Sequence, residues 1–94
     1  MFKLPDYEVT VHIIENKFSN GIKDKIDQLS KKYTLRQSIE YQGVRDYHWA
    51  FSLWDDAVLA GEKFKAIIDN PNCILLEVNA NYDDSIEPII HKRS

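Results

Sequence analysis

The hydrophobic period switches between two and about 3.6 residues four times along this chain, and the order of the switches constrains the fold more than any single residue. Residues 7–14 alternate, with Tyr7, Val9, Val11 and Ile13 on one side and Glu8, Thr10, His12 and Ile14 on the other, the pattern of a half-buried strand. Ser19 or Asn20 can then cap a helix in which Phe18, Ile22, Ile26, Leu29 and Tyr33 return at three- and four-residue spacing. Lys23, Asp24, Lys25, Asp27, Lys31 and Lys32 fill its solvated side.

Two more alternating runs follow. Leu35, Gln37, Ile39 and Tyr41 oppose Arg36, Ser38 and Glu40; beyond the turn Gln42-Gly43-Val44-Arg45, Tyr47, Trp49, Phe51 and Leu53 oppose His48, Ala50, Ser52 and Trp54. Asp55 and Asp56 suit a helix N-terminus, both as caps and against the dipole. The helix over residues 57–69 turns Ala57, Ala60, Gly61, Phe64, Ile67 and Ile68 inward, and Asn70-Pro71-Asn72 stops it. A last strand buries Ile74, Leu76, Val78, Ala80 and Tyr82. The tail from Ser85 carries Ile86, Ile89 and Ile90 around Pro88; it either docks on the domain or awaits a partner.

The resulting order, β-α-β-β-α-β, is that of the ferredoxin-like α+β fold. Right-handed crossovers predict a four-stranded antiparallel sheet in the order 4-1-3-2, with both helices on one face. Residues 1–94 then form one domain, with a core over 7–82 and a tail over 83–94. One conflict stands inside this scheme. A two-residue turn at Gly43-Val44 pairs Glu40 with Tyr47, whereas the hydrophobic pattern pairs Tyr41 with Tyr47. A bulge or a longer loop resolves the parity.

Composition removes several classes of function. A chain of 94 residues buries about two-thirds of its unfolded surface, enough for a single core. No apolar run approaches the roughly 18 residues of a membrane helix, and Met1 to Asp6 lacks a signal peptide's apolar stretch. The single cysteine, Cys73, forms no intrachain disulfide and reads as a buried structural thiol; all of this points to the cytoplasm. A net charge of −3 without a basic stripe disfavours nucleic acid as the main partner. Nine lysines against three arginines, with eleven isoleucines, suggest an AT-rich coding genome such as that of a low-GC bacterium or its phage.

With the hydrophobic pattern obeyed, the uncovered sheet face holds Glu8, Thr10, His12, Ile14, Arg36, Ser38, Glu40, His48, Ala50, Ser52, Trp54, Leu75, Glu77 and Asn79. The candidate binding residues among these are His12, Glu40, His48, Trp54 and Glu77. Strands one and three are neighbours, which sets His12 beside His48, with Glu40 flanking from strand two. Two imidazoles and a carboxylate can bind a divalent metal or run acid–base chemistry. Ordinary polar residues on a solvated antiparallel face give the same pattern, and no local spacing specifies a ligand set. No cofactor, metal or catalytic group is therefore assigned.

Two resemblances accompany this reading. Arg45-Asp46-Tyr47-His48-Trp49-Ala50-Phe51 is similar to the third-strand signature of the RNA-recognition motif, whose exposed aromatics stack on bases. It departs at Asp46 and His48, and the first strand offers His12 in place of an aromatic; core aromatics fit this strand better. Residues 7–82 more broadly resemble the dimeric α+β barrel proteins, including antibiotic-biosynthesis-monooxygenase-like domains. The likeness is carried by a strand running into Phe51-Ser52-Leu53-Trp54-Asp55-Asp56 and a helix beginning Ala57-Val58. It implies a ferredoxin-like fold and a homodimer. In the haem-degrading branch a tryptophan and a first-strand asparagine work with a histidine on the second helix. Trp54 and Asn16 stand for the first two, and residues 57–69 contain no histidine, so no haem is implied.

Three functions follow as expectations. The first is a non-enzymatic binding or regulatory protein acting through protein–protein contact, such as a phage or bacterial inhibitor, immunity or adaptor protein. The second is a dimeric α+β barrel, either a small-molecule binder or a cofactor-independent monooxygenase. The third is single-stranded RNA binding through Tyr47, Trp49 and Phe51.

Overall fold

A computed structural model describes residues 4–14, 20–68 and 73–92, save the side chains of Gln37, Cys73, Ile74 and Lys92. In chain order come β1 (Tyr7–Ile14), α1 (Asn20–Lys32), β2 (Thr34–Tyr41), β3 (Val44–Phe51), α2 (Trp54–Ile67), β4 (Cys73–Ala80) and β5 (Ile89–Lys92). The fold is α+β. Its antiparallel sheet runs β2-β3-β1-β4-β5, with β1 in the centre. The expected roles of Asn16, Phe18 and Ser19, of the Cys73 thiol, and of the stop at residues 69–72 lie outside the described residues.

One face of the sheet makes the core. Directly opposed residues in antiparallel strands share a face, so the pairs Val9–Trp49, Val9–Val78, Val11–Tyr47 and Val11–Leu76 form one apolar layer. Ile22, Ile26 and Leu29 of α1, and Ala57, Ala60 and Phe64 of α2, are buried in the same cluster. Trp49 shows that both helices cover this face. Its ring meets Phe64 of α2 edge to face at 4.7 Å, and its Nε1 donates to Ser30 Oγ of α1 at 3.4 Å. Edge-to-face contact suits the ring quadrupoles, and the indole N–H keeps a partner inside the core. Gly61 allows α2 to approach β4, because a β-carbon there would stand 2.6 Å from Val78 Cγ2.

The tail does not wait for a partner. Residues Ile89–Lys92 pair with β4, Val78 opposite Ile89 and Glu77 opposite Ile90, and Ile89 packs against the core. The expected four-stranded sheet therefore has a fifth strand, and the folded part extends past residue 82. Tyr82 is exposed instead of lying on a buried strand face, and its hydroxyl accepts from the Leu4 N–H at 2.9 Å. Asn81 ties the start of the chain to the end of β4, its amide donating to the Pro5 carbonyl at 2.8 Å.

The parity conflict is resolved by both turn and bulge. The turn residues are Gln42 and Gly43, with φ of 51° and 81°, so Tyr41 pairs with Val44 and Glu40 with Arg45. Two successive positive φ angles make a type I′ hairpin, whose twist matches the strands. The expected turn at Gly43-Val44 is thus displaced by one residue. Further along β2 the register shifts between Leu35 and Gln37. Arg36 is the extra residue of a bulge, which returns Leu35 to Trp49 and the core. Beyond it the alternation is inverted: Ile39 and Tyr41 face the uncovered side, while Ser38 and Glu40 share the side of Tyr47 and Arg45.

Helix α2 also starts earlier than expected. Leu53 is its N-cap and makes no side-chain capping bond, while Asp55 and Asp56 lie inside the first turn. They act on the helix dipole and do not cap it. Leu53 is consequently exposed beyond the end of β3, and Ile67, expected to turn inward, is exposed on α2 while Ile68 is buried.

Candidate functional site

Among the described residues no helix covers the second face of the sheet, and its side chains fall into cross-strand rows. Reading from β2, one row runs Thr34, Ala50, Glu8, Asn79; the next runs His48, Thr10, Glu77, Ile90. A third runs Ile39, Asp46, His12, Leu75, and Tyr41, Val44 and Ile14 close the hairpin end. The centre is polar. The hairpin end is apolar, with Ile39 44% and Tyr41 69% exposed.

His12, on the central strand, joins its two neighbours. Its Nδ1 is 2.5 Å from Asp46 Oδ1 on β3, and its Nε2 is 3.3 Å from Glu77 Oε2 on β4. Carboxylate oxygens accept, so both contacts are hydrogen bonds together only when both ring nitrogens carry protons. The imidazole then clamps β3, β1 and β4 side to side.

His48 forms a second cluster one row away. Its Nδ1 is 3.0 Å from Thr10 Oγ1 and 3.8 Å from Glu8 Oε2. Burial holds the His48 imidazole below its usual range, with Glu8 and Asp46 pulling the other way and His12 and Arg36 adding to the depression. Glu8 is only 8% exposed, and its Oε2 has no hydrogen-bond donor.

His12, His48 and Glu77 are therefore brought to one face, as the alternation of their strands predicts. Glu40 is not. The bulge at Arg36 and the type I′ turn pair it with Arg45, which is itself opposite the buried Ile13, so Glu40 lies on the helix side of the sheet. Trp54 is not on this face either: β3 ends at Phe51, and Trp54 opens α2 with its ring 5.8 Å from Tyr7. Asp46 is not among the expected residues because an alternation beginning at Tyr47 stops short of it; extending that alternation back from Ala50 and His48 is the signal that places it here. Ile39 and Tyr41 carried no such signal, since the bulge is what exposes them. Tyr47 and Trp49 are buried under the helices with ring centroids 6.1 Å apart, so the aromatic strand offers no base-stacking platform.

The chemistry of the face follows from these contacts. Both nitrogens of His12 are taken by carboxylates. Thr10 is 3% exposed, and its hydroxyl meets the same His48 nitrogen that Glu8 approaches. A nucleophile relay instead needs a base bridging hydroxyl and carboxylate through opposite nitrogens. Among the described residues no three or more His, Cys, Asp or Glu side chains are grouped to hold a metal ion. Two shallow depressions at the end of β3 both take in Thr34 and Ala50 of the first row. One of about 380 Å³ is also lined by Pro5 and Phe51, the other of about 420 Å³ by Tyr33, Leu53 and Leu59; neither is lined by His12 or His48. No helix among the described residues is long and apolar enough to cross a membrane. Compared with protein-family models, curated proteins and solved structures, the chain matches none.

Proposed function

We propose that this chain is a non-enzymatic binding or regulatory protein that contacts another protein through the uncovered face of its sheet. A cytoplasmic inhibitor, immunity or adaptor protein of a phage or low-GC bacterium would work in this way. The observation that carries the reading is the outward turn of Ile39 and Tyr41. One bulge residue releases these two side chains from the core and sets them beside Val44 and Ile14, next to a polar strip. Exposed aliphatic and tyrosine side chains bordering polar groups suit an interface, where aromatic anchors contribute most of the binding energy. The order β2-β3-β1-β4 with two helices on one side supports a further reading, a ferredoxin-like βαββαβ unit to which β5 is added.

The test pairs wild type with the double variant Ile39→Ser, Tyr41→Ser. Wild type should retain a stoichiometric partner from cognate lysate, and the folded double variant should lose it. Absence of any partner from a strictly monomeric protein would defeat the proposal. A dimer that dissociates in the double variant would favour the alternative, a dimeric α+β barrel paired through the same face.

A further inference from the structure

We infer that the partner presents a basic side chain, an arginine or lysine flanked by apolar residues, to the strip formed by Asp46 and Glu77. This rests on the open face being the binding surface, and adds the chemistry of what it binds. Asp46 uses Oδ1 and Glu77 uses Oε2 on His12, which leaves Oδ2 and Oε1 for an incoming donor. Both side chains are about a quarter exposed, at 27% and 28%.

A second observation points the same way. Glu8 faces this side through its pairing with Ala50 and Asn79, its side chain is 11% exposed, and its Oε2, 3.8 Å from His48 Nδ1, accepts no hydrogen bond. A carboxylate oxygen buried without a hydrogen bond is unfavourable, and a cation docked over Glu77, one row away, relieves it through charge. Arg36 at the bulge and His12, a cation whenever it donates to both of its neighbours, stand against the three carboxylates of Glu8, Asp46 and Glu77. The balance at the centre is negative.

The apolar neighbours fix the rest of the match. Ile39 lies directly opposite Asp46, and Tyr41 is one row beyond, so an apolar residue beside the partner's cation finds a seat. A second copy of this face would set carboxylates against carboxylates, and a nucleic acid would bring phosphates to them.

A fluorescently labelled peptide alternating leucine with arginine tests this, against the same peptide carrying citrulline in place of arginine. The readouts are fluorescence anisotropy and amide chemical shifts of the full chain. The arginine peptide should shift the amides of Thr10, His12, Asp46 and Glu77, and citrulline should weaken binding about tenfold, as loss of a charge-assisted hydrogen bond does. Asp46→Asn and Glu77→Gln should each weaken the arginine peptide alone. Equal binding of both peptides, lost in Ile39→Ser, Tyr41→Ser, would overturn the basic match and leave the binding face standing. No shift on this face with either peptide would overturn both.

Discussion

Gly61 of α2 lies so close to Val78 of β4 that a β-carbon at position 61 would stand 2.6 Å from Val78 Cγ2. Valine is stiff at χ1, and Val78 is fully buried, so the clash cannot be relieved by a flexible tip. Gly61→Ala should gain helix propensity and still lose about 1–2 kcal/mol overall. Urea denaturation of the variant checks this, and a gain in stability would contradict the packing described.

The hairpin at Gln42-Gly43 predicts effects of opposite sign. Gln42 holds a φ of 51°, which asparagine tolerates better than glutamine, so Gln42→Asn should stabilise by roughly half a kcal/mol. Gly43, at 81°, has open space around a built β-carbon; the strain of Gly43→Ala is therefore conformational, and it should cost about 1 kcal/mol. Thermal unfolding of both variants distinguishes the two directions.

His48 makes stability depend on pH. Burial is the main cause of its depressed titration, so the unfolded chain takes up this proton first as pH falls below about 6.5. Above that pH the ring is neutral in both states. Stability should consequently drop on acidification below about pH 6.5, and His48→Gln should flatten that part of the profile. Ring resonances showing His48 titrating above its ordinary range would refute this.

Removing residues 89–94 should destabilise the domain by at least about 2 kcal/mol, since Ile89 packs against the core and its pairing with Val78 is lost. The truncation also turns β4 into an edge strand. Sedimentation velocity should then show concentration-dependent association, because unpaired strand edges recruit other chains.

Much of this was legible in the residues. Ile22, Ile26 and Leu29, and Ala57, Ala60, Gly61 and Phe64, are buried as their helical spacing predicts. Tyr47 and Trp49 are inside, as the alternation of β3 requires, and His12, His48 and Glu77 share the open face. What was hidden has local physical causes. A bulge leaves no compositional trace, because Arg36 interrupts an alternation that looks continuous from Leu35 to Tyr41. Gln42 adopts a left-handed backbone conformation that its residue type does not announce, and Leu53 caps α2 without any capping side chain. Four-residue β5 follows Pro88 too briefly to display a period.

The bulge at Arg36 also divides the labour within a single strand. On one side of it Leu35 answers to Trp49 and the core; on the other, Ile39 and Tyr41 lie outside the core cluster, exposed on the opposite face. Surface positions freed in this way change with little effect on stability. On the proposed reading, a contact surface placed here can diversify toward new partners while the hydrophobic layer beneath it stays constant.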